Sequence, residues 1–222
     1  YNCVKLQNIS SFVERPAEKR VKLAVDHKQN LLSQASQLGF VEKTLCADGN
    51  KKFGFDGIDT VFSNILYWLD DPFEVLKNLS DGLASGARMV MVFPNPSFYE
   101  SCRSYTDKSK IWVMLNRGRA ECMMWRMHVP EFAANLEKRT GFEVERSTRY
   151  LSRLTLETWD IGFRPMSAPL IKMANSLPPE RRAEIKEEWC DTCRPFLEDM
   201  LGEEIEKGPS EGGFNFVVLR KK

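Results

Sequence analysis

Apolar and polar positions along this chain change rhythm several times. Ile58 to Phe62 is a short β-branched and aromatic run behind the turn signal Asp56-Gly57, and Ser63-Asn64 stop it. Asp71-Pro72 then opens a helix whose apolar positions recur at Phe73, Leu76, Leu79 and Leu83, with Ser85-Gly86 as its close. Arg88 to Phe93 follows as a nearly continuous apolar run, the pattern of a strand covered on both faces of a parallel sheet. Together these segments predict one βαβ crossover.

The same rhythms extend in both directions. Lys19 to Val25 predicts a strand ending at Asp26, Lys28 to Leu38 a helix with Leu31, Leu32, Ala35 and Leu38 on one face, and Val41 to Leu45 a further strand. Downstream, Pro130 to Lys138 reads as a helix, Phe142 to Tyr150 as an alternating strand, and Gly213 to Arg220 as a last strand. Between the last two strands, Ser167 to Ser176 and Glu180 to Met200 carry helical periodicity around the break Leu177-Pro178-Pro179. This layout predicts an α/β core from residues 1–153 and 209–222, with 154–208 as a helical insertion that serves as a lid or a self-association surface, in the latter case a homodimer.

At 222 residues and 42% hydrophobic, the chain is long enough to bury a full core. Its 32 basic residues are matched by 31 acidic ones, so no electrostatic case for a nucleic-acid partner arises. It has no apolar run of membrane-spanning length, and its six scattered cysteines read as reduced thiols, so a cytoplasmic protein is expected. Cys190 and Cys193 share one helix face, but no second pair or nearby histidine accompanies them, so no metal site is expected and packing in the core is.

The order of these residues resembles that of the class I S-adenosylmethionine-dependent methyltransferases, above all the small-molecule enzymes whose fourth strand reads FDxVxSNxxxxWxxDP. The matching positions here are Asp59, Ser63, Asn64, Tyr67, Trp68 and Asp71-Pro72. The resemblance implies a Rossmann-like, doubly wound, mostly parallel seven-stranded sheet with an antiparallel last strand. It also implies S-adenosylmethionine as cofactor, S-adenosylhomocysteine as product and a small-molecule acceptor. Asp26, closing the second strand, would be the acid that accepts from both ribose hydroxyls. Cys46-Ala47-Asp48 would be the adenine element, with Asp48 accepting from the amino group and His27 and Ala47 flanking the ring. Ser63 and Asn64 would complete the cofactor side, and Tyr67 and Trp68 would face the acceptor.

One part of the family pattern is missing. A glycine-rich loop of the DxGxGxG type normally precedes the ribose acid, since only glycine lets the backbone approach the methionyl group closely. Residues 1–18 contain no glycine, and Val4 to Ser11 stand at the expected place. Three readings are open: the chain no longer binds cofactor, Asn8, Ser10 and Ser11 do the work of glycines, or a glycine-rich segment belonging before Arg15 is missing from this sequence. The first of these makes the chain a catalytically inactive binding module or partner subunit.

Acceptor-side candidates follow the fifth strand. Phe98, Tyr99, Tyr105, Trp112 and Trp125 lie where enzymes of this fold shape the acceptor pocket, and covering the sheet is the competing use of such rings. In the helical segment, Trp159 and Arg164 are candidates to touch substrate, against a packed Trp and a salt-bridged Arg. If the acceptor needs deprotonation, His128 is the histidine near the expected pocket mouth, ahead of Tyr67 or Tyr99 and against a role in starting the helix at Val129-Pro130.

Overall fold

The helix that follows Asp71 shows how local chemistry sets this architecture. Asp71 has extended backbone angles and its carboxylate accepts from the Phe73 and Glu74 amides at 3.0 and 3.2 Å, capping α2 (Pro72–Gly82), with Pro72 in the first turn where its missing N–H costs nothing. One face of α2 buries Phe73, Leu76 and Leu79. At the other end, Lys221 Nζ donates to the Leu83 carbonyl at 2.7 Å and to the Ser80 carbonyl, satisfying groups that the last turn leaves open.

The computed structural model describes residues 21–37, 39–98, 100, 110, 127–207 and 212–222. Ahead of α2 come β1 (Val21–Asp26), α1 (Gln29–Ser36), β2 (Val41–Cys46) and β3 (Thr60–Ser63), with a single 3₁₀ turn at Leu66–Trp68. After it come β4 (Arg88–Pro94), α3 (Val129–Arg139), β5 (Phe142–Tyr150), α4 (Arg153–Glu157), α5 (Arg164–Asn175), α6 (Pro179–Lys207) and β6 (Phe214–Lys221). A π-helical stretch, Thr158–Phe163, links α4 to α5.

Six strands among the described residues form two sheets, not the single seven-stranded sheet expected from the sequence. One sheet pairs β1 with β2 in parallel, and the other runs β3-β4-β6-β5. In the latter β3 and β4 are parallel, while β6 is antiparallel to both β4 and β5. The antiparallel final strand beside β4 is as expected. The division arises because β1 and β3 each have one hydrogen-bonded neighbour among the described residues; the region ahead of Val21 lies outside them.

Two hydrogen bonds align the sheets. Lys22 Nζ, near the start of β1, donates to the carbonyl of Gly57, just before β3, at 2.7 Å. Beyond the other ends, the Asp70 amide donates to Asn50 Oδ1 at 3.0 Å. Starts lie near starts and ends near ends, so β1 to β4 all run the same way and share one C-terminal edge.

The core lies on the larger sheet. Met89, Met91 and Phe93 of β4, Phe132 and Leu136 of α3, Phe142 of β5 and Val217 and Leu219 of β6 are all fully buried beside α2. Phe132 meets Phe93 at 4.9 Å and stacks on Phe73 at 5.7 Å between ring centroids, contacts that add about 0.5–1.5 kcal/mol per pair beyond area burial. A bulge between Val144 and Arg146 interrupts the β5 register, and Glu145 there binds Arg88 through both carboxylate oxygens at 2.8 Å. By contrast, β1, α1 and β2 contribute Leu32 alone to the buried apolar residues, and Phe62 of β3 is 67% exposed.

The helical reading of the segment before β6 is seen in α4 to α6, and α6 runs past Met200 to Lys207 despite Pro195. The core packing expected of Cys190 and Cys193 is not found: both are free thiols, Cys190 exposed and Cys193 half-buried, because this helix turns much of its surface to solvent. No helix among the described residues is long and apolar enough to cross a membrane.

Candidate functional site

The Lys22 hydrogen bond to Gly57 sets β1 beside β3, and with that neighbourhood the winding of the chain reverses between them. From β1 it passes through α1 to β2 on one side, and from β3 through α2 to β4 on the other. Open α/β sheets take ligands beyond the C-terminal ends of the strands at such a reversal. Asp26 is the last residue of β1 and Ser63 the last of β3, so residues that the sequence singles out stand at the C-terminal ends of both strands.

Asp26 is held rather than loose. Its Oδ1 accepts from the Lys28 amide at 2.8 Å and lies 3.5 Å from His27 Nδ1, while its backbone carbonyl accepts from Ala47 N at 3.0 Å. That leaves Oδ2 without a partner among the described residues, on a side chain 32% exposed. The His27 carbonyl meets Cys46 Sγ at 3.6 Å, so the residues after β1 and β2 sit against each other. His27 is exposed and Ala47 half-buried.

Asp48 begins a tight turn in which its Oδ1 accepts from the Asn50 amide at 3.0 Å and its backbone carbonyl from Lys51 N at 2.9 Å. Asn50 in turn accepts from Asp70, so the Asp48 turn is braced to the loop beyond β3. Ser63 Oγ accepts from the Ile65 amide at 3.4 Å, and Asn64 is exposed beside it. Asp26, His27, Ala47, Asp48, Ser63 and Asn64 therefore belong to one edge. Asp59 does not: it precedes β3 at the opposite end.

Tyr67 and Trp68 occupy the 3₁₀ turn after β3, with ring centroids 5.3 Å apart. Tyr67 also meets Phe214 edge-on at 6.2 Å, and Phe214 meets Phe98 at 5.1 Å. Tyr67 thus borders a second small core of Val92, Phe98, Leu156 and Phe214 at the same edge of the larger sheet. Phe98 and Phe214 are buried in that cluster; Trp68 is 42% exposed and can offer its ring to a ligand.

His128 is the N-cap residue of α3 and is exposed, and its side chain makes no capping hydrogen bond, so the alternative role in starting that helix is not one its imidazole performs. Trp159 is 49% exposed within the π-helical stretch, and Arg164 is half-buried at the start of α5. Tyr99 and Trp125, with Tyr105 and Trp112, lie outside the described residues. Among the described residues, no three His, Cys, Asp or Glu side chains are grouped as a metal site.

Two residues of this edge were not anticipated. Asn95, just after β4, and Asn215, in β6, are each 1% exposed. Asn95 Nδ2 donates to the Gly212 carbonyl at 2.6 Å, its Oδ1 accepts from Ser97 N at 2.9 Å, and its backbone amide donates to Gly213. The signal in the sequence was a lone amide in an apolar strand, Phe-Asn-Phe-Val-Val-Leu.

No protein-family model and no curated protein matches this chain. Solved structures similar to it include S-adenosylmethionine-dependent methyltransferases. The plantazolicin methyltransferase BpumL, in complex with a pentazolic desmethylPZN analogue and S-adenosylhomocysteine, is 14% identical over 98% of this chain and 72% of its own, with a TM-score of 0.47. An S-adenosylmethionine-dependent methyltransferase from Mesorhizobium loti is 14% identical over 90% and 80%, with a TM-score of 0.49. The [4+2]-cyclase SpnF is 11% identical over 97% and 72%, with a TM-score of 0.48.

Proposed function

We propose that this chain is an S-adenosylmethionine-dependent methyltransferase that acts on a small-molecule acceptor. The observation that carries the reading is the placement of Asp26 and Ser63 at the ends of β1 and β3, either side of the winding reversal, with the Asp48 turn braced to the same edge.

The residues present fit the adenosyl half of the cofactor. Asp26 has a carboxylate oxygen available for a ribose diol, Asp48 lies one strand over and would accept from the adenine amino group, and His27 and Ala47 would flank the ring. The methionyl half would rest near Ser63 and Asn64; no glycine-rich cradle for it stands among the described residues. When bound, the cofactor supplies an electrophilic methyl group on its sulfonium. The chain's own task is then to hold the acceptor in line and keep water out, which can account for several kcal/mol of the barrier without a dedicated nucleophile.

In this reading Tyr67 and Trp68 border the acceptor side and Trp159 and Arg164 touch the acceptor from the helical segment, for which we propose a lid or a homodimer surface. His128 takes the proton of an acceptor that must be deprotonated. The near-balanced charge gives no electrostatic case for a nucleic acid, and the free thiols among the described residues suit the cytoplasm. A second reading, a catalytically silent partner subunit, is favoured by the glycine-free opening.

Incubation with methyl-labelled S-adenosylmethionine and a panel of hydroxyl, amine and carbon acceptors tests the proposal. Acceptor-dependent formation of S-adenosylhomocysteine, abolished in Asp26→Ala, is expected. Bound cofactor that is never turned over would favour the silent subunit.

A further inference from the structure

β6 breaks its own pattern at one position. Phe214, Val217 and Leu219 are buried as an inner strand requires, yet Asn215 is as deeply buried as they are. It stands opposite Phe93 of β4 and Arg149 of β5, on an inner strand and close to the edge where β4 ends. A buried amide is costly unless it is hydrogen-bonded, and a leucine, which has the same branched shape, would carry no such requirement.

The bond that Asn215 makes says what the amide does there. Its Nδ2 donates to the Met127 carbonyl at 3.0 Å. That carbonyl belongs to the peptide unit joining Met127 to His128. On the other side, the His128 carbonyl accepts from Phe132 N at 3.0 Å in the first turn of α3. Both peptide planes that flank His128 are therefore fixed, one by β6 and one by the helix. Asn95 ties the end of β4 to Gly212 and Gly213 at the start of β6, so the strand that carries Asn215 is itself pinned at this edge.

We infer that Asn215 is a positioning residue for His128: through the Met127 carbonyl, its buried amide sets where the imidazole stands at the C-terminal edge of the sheet. The inference deepens the methyltransferase reading, in which His128 takes the acceptor's proton, and it rests on that reading for its catalytic meaning. The contact runs through backbone, so exchange of the amide for an apolar side chain alters the path of residue 128 without removing any group from the site.

The chain has two histidines, His27 and His128, so carbon-13 NMR of the imidazole Cε1–H groups gives two signals, assigned with His27→Gln and His128→Gln. In Asn215→Leu, at fixed pH, the His128 signal is expected to shift and broaden as the imidazole samples several positions, while the His27 signal stays in place. Asn215→Asp, which turns an acceptor towards the Met127 carbonyl, displaces it further. Asn215→Ser serves if the leucine variant does not fold. A folded variant lacking the amide donor, with the His128 signal coincident with wild type, overturns the inference. Cofactor titration of the same proteins separates the two claims: affinity within about twofold of wild type is expected, and a wild-type protein that binds no cofactor removes the methyltransferase reading while the NMR result still decides the positioning.

Discussion

The Asp70 amide donates to Asn50 Oδ1 at 3.0 Å, which ties the turn after β2 to the loop after β3 across the winding reversal. Asn50 is also the residue whose own amide is bound by Asp48. Two residues thus decide whether the proposed adenine side and the proposed methionyl side keep a fixed separation. Replacing Asn50 with alanine removes the brace but none of the proposed ligand contacts. We expect cofactor affinity to fall about fivefold, the size of one neutral hydrogen bond of ~1 kcal/mol. Isothermal titration of Asn50→Ala checks this; unchanged affinity would show that the turn needs no brace.

Asp71 carries a pH dependence. Partial burial on its own raises the carboxyl, but hydrogen bonds from Arg139 and from the Glu74 and Phe73 amides, with the Arg139 charge, outweigh it and hold the group below its ordinary value. A carboxyl lowered in the folded state stabilises above its unfolded pKa, and that contribution is lost as pH falls through the folded pKa. Both side chains are nearly half exposed, so solvent screens the pair and most of the effect comes from the cap. Asp71→Ala is expected to cost about 1–2 kcal/mol at neutral pH, with the gap to wild type closing below about pH 4. Thermal melts across pH measure it.

Lys221 makes a simpler prediction. Its ammonium reaches the carbonyls of Ser80 and Leu83 and so closes α2 from the neighbouring strand. Lys221→Met keeps the stem and loses the donors. About 1–2 kcal/mol of stability should go, with an unchanged denaturant m-value in urea unfolding.

Glu204 fastens the end of α6 to the core. Its carboxylate accepts from the Ser152 amide and the Thr155 hydroxyl, at the cap of α4. Burial raises this carboxyl and those hydrogen bonds lower it, with a net lowering, so the tie is complete above the unfolded pKa and weakens as pH falls through the folded one. In Glu204→Ala, tryptic cleavage at Arg181, Arg182 and Lys186 should quicken about fivefold at neutral pH, the ratio that ~1 kcal/mol gives, while cleavage in the larger sheet is unchanged. Equal cleavage rates would show that α6 is held elsewhere.

Local signals carried most of the fold. Asp71-Pro72 announced α2, Arg88 to Phe93 announced a strand buried on both faces, and Pro178-Pro179 marked the break before α6. Strand ends also placed Asp26 and Ser63, since the last residue of a parallel strand is where a ligand approaches. What the sequence hid were relationships across distance: Asn50 to Asp70 spans twenty residues and Asn215 to Met127 eighty-eight. Cys193 was misjudged because helical periodicity says which residues share a face and not whether anything covers it. The π-helical stretch at Thr158–Phe163 has no periodic signature to read.

The most direct test of the central claim is isothermal titration of the protein with S-adenosylmethionine and S-adenosylhomocysteine, with Asp26→Ala and Asp48→Asn alongside. The account predicts micromolar binding of both ligands, lost or weakened at least about tenfold in Asp26→Ala because a ribose diol would lose a charged acceptor. A folded wild-type protein that binds neither ligand, or an Asp26→Ala variant that binds both as well as wild type, would contradict it.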